Sequence, residues 1–91
     1  MNALEQYEDR TLLIVDDDEP FLGRLARAME TRGFDVVTAG SVRDGVAAAK
    51  SMLPAFAVLD LRLADGSGLD IVSAVQEGRP ASRIVMLTGY G

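Results

Sequence analysis

The sequence predicts an α/β fold in which three helices cover a parallel sheet of four strands. Short apolar runs alternate along the chain with longer segments of helical period, in the order β-α-β-α-β-α-β. Strands that alternate with helices form parallel sheets through right-handed crossovers, so we expect a doubly wound sheet. The chain has 91 residues, 48% of them hydrophobic, which is enough for the core of one domain.

The first strand and helix have clear boundaries in the sequence. Thr11–Val15 is a continuous apolar run, typical of a strand that is buried on both faces. Asp18 is the predicted N-cap of the helix that follows, with Pro20 in its first turn. Gly33 stands where a helix end favours a left-handed residue. The apolar stripe of this helix contains Phe21, Leu22, Leu25, Ala28 and Met29.

The remaining elements repeat the alternation. Ser41 is the predicted N-cap of a second helix, which continues to about Met52. After the Asp65-Gly66 turn signal, a third helix starts at Ser67 or Gly68. Its predicted apolar face contains Leu69, Val72 and Val75. The other three strands are predicted at Phe34–Thr38, Ala55–Leu59 and Arg83–Leu87.

The composition excludes several classes of chemistry. The sequence has no cysteine and no histidine, which rules out disulfides, thiol catalysis, the usual zinc sites and a Ser-His-Asp triad. A net charge of −5 argues against direct nucleic-acid binding by this segment. The polar N-terminus lacks the apolar core of a signal peptide, and no apolar run approaches the ~20 residues that span a bilayer. We therefore expect a cytoplasmic chain that makes no membrane contact.

Marked residues stand at the ends of three predicted strands: Asp16 and Asp17 after the first, Asp60 after the third and Thr88 after the fourth. In a doubly wound sheet these positions meet at the carboxyl edge, where such folds bind their ligands. Clustered carboxylates without nitrogen or sulfur ligands favour Mg²⁺ or Mn²⁺. An aspartate beside such an ion can attack a phosphoryl group. Asp60 or Thr88 alone is more often a loop or turn residue, whereas the Asp16-Asp17 pair is less easily explained in this way, because adjacent acids at the end of a buried strand repel each other. The prediction depends on the combination of all three strand ends.

Three segments resemble the signature segments of two-component receiver domains. They are LLIVDDDEPF, FAVLDLRLADGSGLD and IVMLTGYG, and the resemblance extends from about Arg10 to the last residue. The residues of these segments also resemble those of one branch of that family, the global redox regulators of the RegA/PrrA/ActR type. The resemblance implies a flavodoxin-like fold and a role in two-component signal transduction.

The resemblance also implies roles for individual residues. Asp60 would be the phosphoacceptor and a metal ligand. Asp17 would bind Mg²⁺ directly, Asp16 would hold a metal-bound water, and the backbone carbonyl of Arg62 would be a further ligand. Thr88 would be the hydroxyl that moves toward the phosphoryl group, and the neighbouring position, Gly89, is small, as the family prefers.

The partners follow from the same resemblance. The phosphoryl donor would be a phosphohistidine on a sensor histidine kinase, which commonly docks on the first helix, near Phe21 and Leu22. DNA would be bound only by a C-terminal helix-turn-helix domain that this chain does not contain. The chain would accept a phosphoryl group on itself and would not be an enzyme that acts on a separate substrate.

The sequence departs from the family at its C-terminal end. Family members have a lysine at the end of a fifth strand, whereas the lysine of this chain is Lys50, in the second predicted helix. We therefore expect a partial receiver at residues 10–91, without the fifth strand and the last two helices. Residues 1–9 would form an N-terminal arm. The fourth strand would then be a sheet edge, which favours a dimer or a domain-swapped oligomer.

Three other classes of protein share parts of this pattern. A phosphate-independent dimerisation or interaction module remains an alternative for a chain that lacks the family's lysine. A phosphohydrolase of the haloacid-dehalogenase type would need an acid two residues after its nucleophile, where this chain has Arg62. A dinucleotide-binding domain is disfavoured because Gly66-Ser-Gly68 lacks the third glycine and does not follow the first strand.

Overall fold

Strands and helices alternate along the chain as predicted. The structure is a computed structural model that describes residues 9–87. Nearly all of the predicted arm at 1–9, as well as Thr88 and Gly89, lies outside the described residues. The elements are β1 (Thr11–Val15), α1 (Glu19–Thr31), β2 (Asp35–Ala39), α2 (Val42–Met52), β3 (Phe56–Asp60), β4 (Arg62–Leu63), β5 (Gly66–Ser67), α3 (Leu69–Gly78) and β6 (Arg83–Leu87).

The main sheet is parallel, with strand order β2-β1-β3-β6. The registers pair Val15 with both Ala39 and Leu59, and Asp60 with Leu87. The three strands whose ends were predicted to meet are therefore adjacent in space, and their carboxyl ends lie at one edge. Two of the predicted strands, β2 and β3, begin and end one residue later than the sequence indicated.

Two apolar clusters pack against the two faces of the sheet, and β1 contributes to both. Successive residues of a strand point to opposite faces. Leu13 and Val15 accordingly belong to one cluster, and Leu12 and Ile14 belong to the other. Residues of α2 and α3 complete the first cluster: Val42, Ala49, Ile71, Ala74 and Val75. Residues of α1 complete the second: Leu22, Leu25, Ala26 and Met29. The sheet is therefore doubly wound, as predicted.

Local signals set the helix boundaries where the sequence placed them. The Asp18 carboxylate accepts a hydrogen bond from the Phe21 amide at 3.1 Å and caps α1. Gly33 follows this helix with a φ of 98°, a left-handed conformation that glycine adopts without a Cβ clash. The Ser41 hydroxyl caps α2 by accepting from the Asp44 amide at 3.0 Å.

The predicted apolar face of α3 is wrong in part. Leu69 is 56% exposed, whereas Ile71, Ala74 and Val75 are the buried residues of this helix. The buried face is fixed by the contact of α3 with α2: an ideal Cβ on Gly45 of α2 would lie 2.7 Å from Ile71 Cδ1. The side of α3 that faces the core is therefore set by contact with α2, and the pattern of residues within α3 alone does not show this contact.

A hydrogen-bond network joins segments at the amino ends of the parallel strands, on the side of the sheet opposite the acids. Asp9 accepts from the backbone amide and the hydroxyl of Thr11, and it forms an ion pair with Arg79. Arg79 also donates to the Leu53 carbonyl at 3.0 Å, and the Ala55 amide donates to Thr11 Oγ1 at 2.9 Å. The network links the start of β1, the α2–β3 connection and the end of α3. Among residues 9–87, no helix combines the length and the apolar character needed to cross a membrane.

Candidate functional site

Three carboxylates meet at the carboxyl edge of the sheet. Asp16 and Asp17 directly follow β1, and Asp60 is the last residue of the adjacent strand β3. Each offers one oxygen, and these oxygens lie within 4.8 Å of one another. The predicted convergence of these acids is therefore confirmed. Thr88, the fourth residue of the predicted set, lies outside the described residues.

Asp16 lies in the least favourable environment for a negative charge. It is 9% exposed, and burial raises the pKa of its carboxyl. The Asp18 amide, which donates to Asp16 Oδ1 at 2.9 Å, lowers this pKa, and the charges of Asp60, Asp17 and Asp18 raise it. The cluster thus concentrates negative charge at a site where a bound cation would relieve the repulsion.

The other two acids are held by backbone amides of the segment after β3. The Arg62 amide donates to Asp60 Oδ1 at 3.2 Å, and the Ala64 amide donates to Asp17 Oδ2 at 3.2 Å. These bonds restrict the rotation of both carboxylates. The contribution of Ala64 was not predictable from the sequence, because a backbone amide leaves no signal in the residue type.

The donor set fits a hard divalent cation. All three side chains offer carboxylate oxygens, which Mg²⁺, Mn²⁺ and Ca²⁺ prefer. Oxygen ligands at about 2.1–2.5 Å from a common ion lie up to about 4–5 Å apart, and the observed separation of at most 4.8 Å agrees with this. The residues present can therefore hold such an ion with small side-chain adjustments.

An open cleft lies beside the acids. Its volume is about 680 Å³, a size typical of clefts that bind small groups. It is lined by Asp16, Asp17, Asp18, Phe21, Asp60, Met86 and Leu87. Its lining combines acidic and apolar side chains, and Asp60 is accessible from the cleft. A phosphoryl group and its donor could therefore approach this carboxylate.

A short antiparallel hairpin, which was not predicted from the sequence, lies beside the site. Its strands β4 and β5 pair Arg62 with Ser67 and Leu63 with Gly66. The Asp65-Gly66 turn signal correctly marked its bend, but strands of two residues are too short to show a period. The hairpin brings the Arg62 and Ala64 amides to the acids.

Comparison with known families matches residues 12–91 to the response regulator receiver domain, and the chain belongs to this family. The predicted family and the flavodoxin-like fold are therefore confirmed. The match includes the three acids and the hairpin, so the geometry described above is that of a receiver.

Curated relatives support the predicted branch. The chain is 64% identical over 89 residues to the photosynthetic apparatus regulatory protein RegA of Cereibacter sphaeroides, covering 98% of this chain and 48% of the relative. It is 59% identical over 83 residues to the acid tolerance regulatory protein ActR of Rhizobium meliloti, covering 91% of this chain and 43% of the relative. The chain thus spans about half the length of these relatives.

Solved structures agree with the fold. A response regulator from Burkholderia pseudomallei, crystallised with a phosphorylated aspartic acid, a calcium ion and citrate, is 36% identical with a TM-score of 0.84. That match covers 91% of this chain and 49% of the other. A CheY-like receiver domain from Methanospirillum hungatei is 28% identical, also with a TM-score of 0.84, and the match covers 92% of this chain and 67% of the other.

Proposed function

We propose that this receiver accepts a phosphoryl group on Asp60 in a reaction that requires Mg²⁺, with Mn²⁺ as a substitute. The observation that carries the proposal is the meeting of Asp60 with Asp16 and Asp17, within 4.8 Å, in a chain of the receiver family. The Burkholderia pseudomallei relative, which contains a phosphorylated aspartic acid and a calcium ion, supports this chemistry by analogy.

The residues divide the work between holding the cation and accepting the phosphoryl group. Asp17 and Asp60 would bind the ion directly, with Asp16 through a water and Arg62 through its backbone carbonyl. When bound, the ion offsets the charge on the acids and on the incoming phosphoryl oxygens. The Arg62 amide holds Asp60 Oδ1 and fixes the rotation of the nucleophilic carboxylate. Thr88 would donate its hydroxyl to the transferred group.

In the transfer step, a carboxylate oxygen of Asp60 forms a bond to phosphorus. The bond from phosphorus to the donor's imidazole nitrogen breaks, and its electron pair stays on that nitrogen. The donor would be a phosphohistidine on a sensor histidine kinase. The modified residue belongs to the receiver itself, so the chain would not act as an enzyme on a separate substrate.

The output of the receiver would lie outside this chain. We assign residues 10–91 to the receiver unit and 1–9 to an N-terminal arm. One relative, from Mycobacterium tuberculosis, is named a probable transcriptional regulatory protein. By analogy the parent protein would regulate transcription in the cytoplasm and bind DNA through a C-terminal domain. The net charge of −5 agrees with DNA contact elsewhere in the protein.

Two other predictions about partners remain predictions. In a dimer or a domain-swapped oligomer, β6 would be a natural contact, because it is one of the two outer strands of the described sheet and its Val85 is 56% exposed. A phosphate-independent interaction module is disfavoured, because such a module would not need three acids held together at the cost of repulsion.

Phosphorylation of Asp60 is tested by incubating the protein with a small phosphodonor and Mg²⁺ and measuring the intact mass. The unmodified sequence should gain one phosphoryl group, and Asp60→Asn should gain none. Asp70→Asn is the matched control, because it removes the same charge from an exposed position in the first turn of α3. Equal modification of Asp60→Asn, or none of the unmodified protein, would contradict the proposal.

Metal binding is tested separately by titration with Mg²⁺. Asp17→Asn should lower the affinity about tenfold or more, because it removes a charged ligand. Asp70→Asn again serves as the control and should bind as the unmodified protein does. Equal affinity of the Asp17 variant would exclude this site as the place where the ion binds.

A further inference from the structure

Asp65, at the tip of the β4–β5 hairpin, makes contacts that the proposed function does not use. Its Oδ1 accepts from the Val42 amide at 2.8 Å, and its Oδ2 accepts from the Arg43 amide at 3.1 Å. These amides belong to the first two residues of α2, 23 and 22 positions earlier in the chain. Both bonds hold the pKa of Asp65 below its ordinary value.

The helix already has a cap of its own. The Ser41 hydroxyl accepts from the Asp44 amide, and the Gly45 amide donates to the Ser41 carbonyl at 2.9 Å and begins the helical ladder. Asp65 accepts hydrogen bonds from the two amides at the start of α2 that Ser41 does not bind. It therefore joins two parts of the fold, the start of α2 and the segment that follows Asp60.

The other end of this connection is the acidic site. Asp65 directly follows Ala64, whose amide donates to Asp17 Oδ2 at 3.2 Å. In the same hairpin the Arg62 amide donates to Asp60 Oδ1. The position of the hairpin tip therefore decides whether both amides reach their carboxylates.

The hairpin is too small to hold this position alone. It consists of two residue pairs, and two-stranded hairpins are at best marginally stable in water. Leu63 anchors one side in the core, where it is 8% exposed. The tip itself, Ala64 and Asp65, is exposed, so its anchors are the bonds to Asp17 and to α2.

We propose that Asp65 is a positioning residue for the metal and phosphoacceptor site. By fixing the hairpin tip to the start of α2, it keeps the Ala64 amide on Asp17 and the Arg62 backbone beside Asp60. Asp65 itself contacts neither ion nor phosphoryl group. The inference rests on the proposed function, because it assigns Asp65 to the same site.

The experiment compares Asp65→Ala with Ser41→Ala. Both variants remove a side chain that caps the start of α2, but Ser41→Ala leaves the hairpin bonds intact. We expect Asp65→Ala to lower the Mg²⁺ affinity about tenfold and to slow phosphorylation of Asp60 by a similar factor, as loss of a residue that orients metal ligands does. Ser41→Ala should lower the stability of the protein and leave both quantities unchanged.

Two further measurements separate positioning from stability. Asp65→Asn keeps one side-chain oxygen as an acceptor and should restore part of the affinity; it also carries the test if the alanine variant does not fold. Amide hydrogen exchange without metal should speed up at Ala64 in Asp65→Ala, and not in Ser41→Ala.

Each outcome is decisive. Equal Mg²⁺ affinity and equal Ala64 exchange in Asp65→Ala and the unmodified protein would overturn the positioning role, while the response of Asp17→Asn would leave the proposed function standing. An equal loss of affinity in Asp65→Ala and Ser41→Ala would also overturn it, because helix capping alone would then explain the effect. If the unmodified protein neither binds Mg²⁺ nor is phosphorylated, the proposed function fails and this inference fails with it.

Discussion

Replacing Gly68 by alanine should damage both the fold and the site, because the added methyl group collides with the backbone of Asp60. An ideal Cβ on Gly68 lies 2.1 Å from the Asp60 carbonyl oxygen and 3.3 Å from Leu61 Cα. Gly68 has a φ of −61°, which any residue adopts, so the cost comes from the collision and not from the backbone conformation.

The size of the effect follows from these distances. A carbon and a carbonyl oxygen approach to about 3.3 Å, so Gly68 and Asp60 must separate by about 1 Å. Overpacking of this kind costs about 1–3 kcal/mol. Loss of the hydrogen bond from the Gly68 amide to the Leu61 carbonyl, 2.8 Å long, adds about 1 kcal/mol. The expected loss in free energy of unfolding is about 2–4 kcal/mol, a large part of the stability of a small domain.

The same displacement should also slow the phosphorylation of Asp60. A shift of about 1 Å in a reacting group can slow a reaction about 100-fold, so phosphorylation of Asp60 should slow by up to that factor. Urea unfolding followed by circular dichroism gives the free energy, and intact mass against time gives the rate. The control is Gly40→Ala, because the nearest heavy atom to its ideal Cβ is the Asp16 carbonyl oxygen at 4.0 Å. A Gly68 variant within about 0.5 kcal/mol of the unmodified protein, with the same rate, would contradict the predicted collision.

Two further predictions concern stability. Arg79→Ala removes the partner that, more than any other group, holds the pKa of Asp9 at about 2, below its ordinary 3.8. The full shift corresponds to about 2.5 kcal/mol, but side-chain exposures of 35% and 38% reduce our expectation to about 1 kcal/mol. Because the folded-state pKa is lowered, the stability from the Asp9 ion pair is present above pH 3.8 and lost toward pH 2. The bond from Arg79 to the Leu53 carbonyl does not titrate, so the difference between the two proteins in urea unfolding should be smaller near pH 2 than at neutral pH. Gly45→Ala should destabilise the protein by about 1 kcal/mol, because the added Cβ would lie 2.7 Å from Ile71 Cδ1. Gly23→Ala in α1 should instead stabilise the protein by about 0.5–1 kcal/mol. Equal thermal melting temperatures of these two variants would contradict the packing argument.

The sequence predicted the features that depend on local chemistry. The boundaries of β1 and β6 were correct because an apolar run ends at a polar residue or a turn signal. The caps at Asp18 and Ser41 were predictable because the acceptor side chain and the amide it binds lie three residues apart. The convergence of the acids was predictable because parallel strands place their ends at one edge.

The sequence did not predict features that depend on contacts between distant segments. Asp65 was interpreted as a turn residue only, because the amides it binds lie 22 and 23 positions earlier. Leu69 was placed on the apolar face of α3, although the packing of Ile71 against α2 turns it outward. The bond between Arg79 and Asp9 spans 70 positions, and exposed charges offer many possible pairs.

The alternation of side chains along β1 affects how substitutions combine. Leu12 and Leu13 are adjacent in the chain but belong to separate apolar clusters, whereas Leu13 and Ile71 share a cluster. Residues that pack in one cluster have non-additive effects, and residues with fewer common partners are closer to additive. Mutations at Leu12 and Leu13 should therefore couple less strongly than their adjacency implies, while a change at Leu13 is compensated or worsened by changes at Ile71. In this receiver, epistasis follows the face of the sheet rather than distance along the chain.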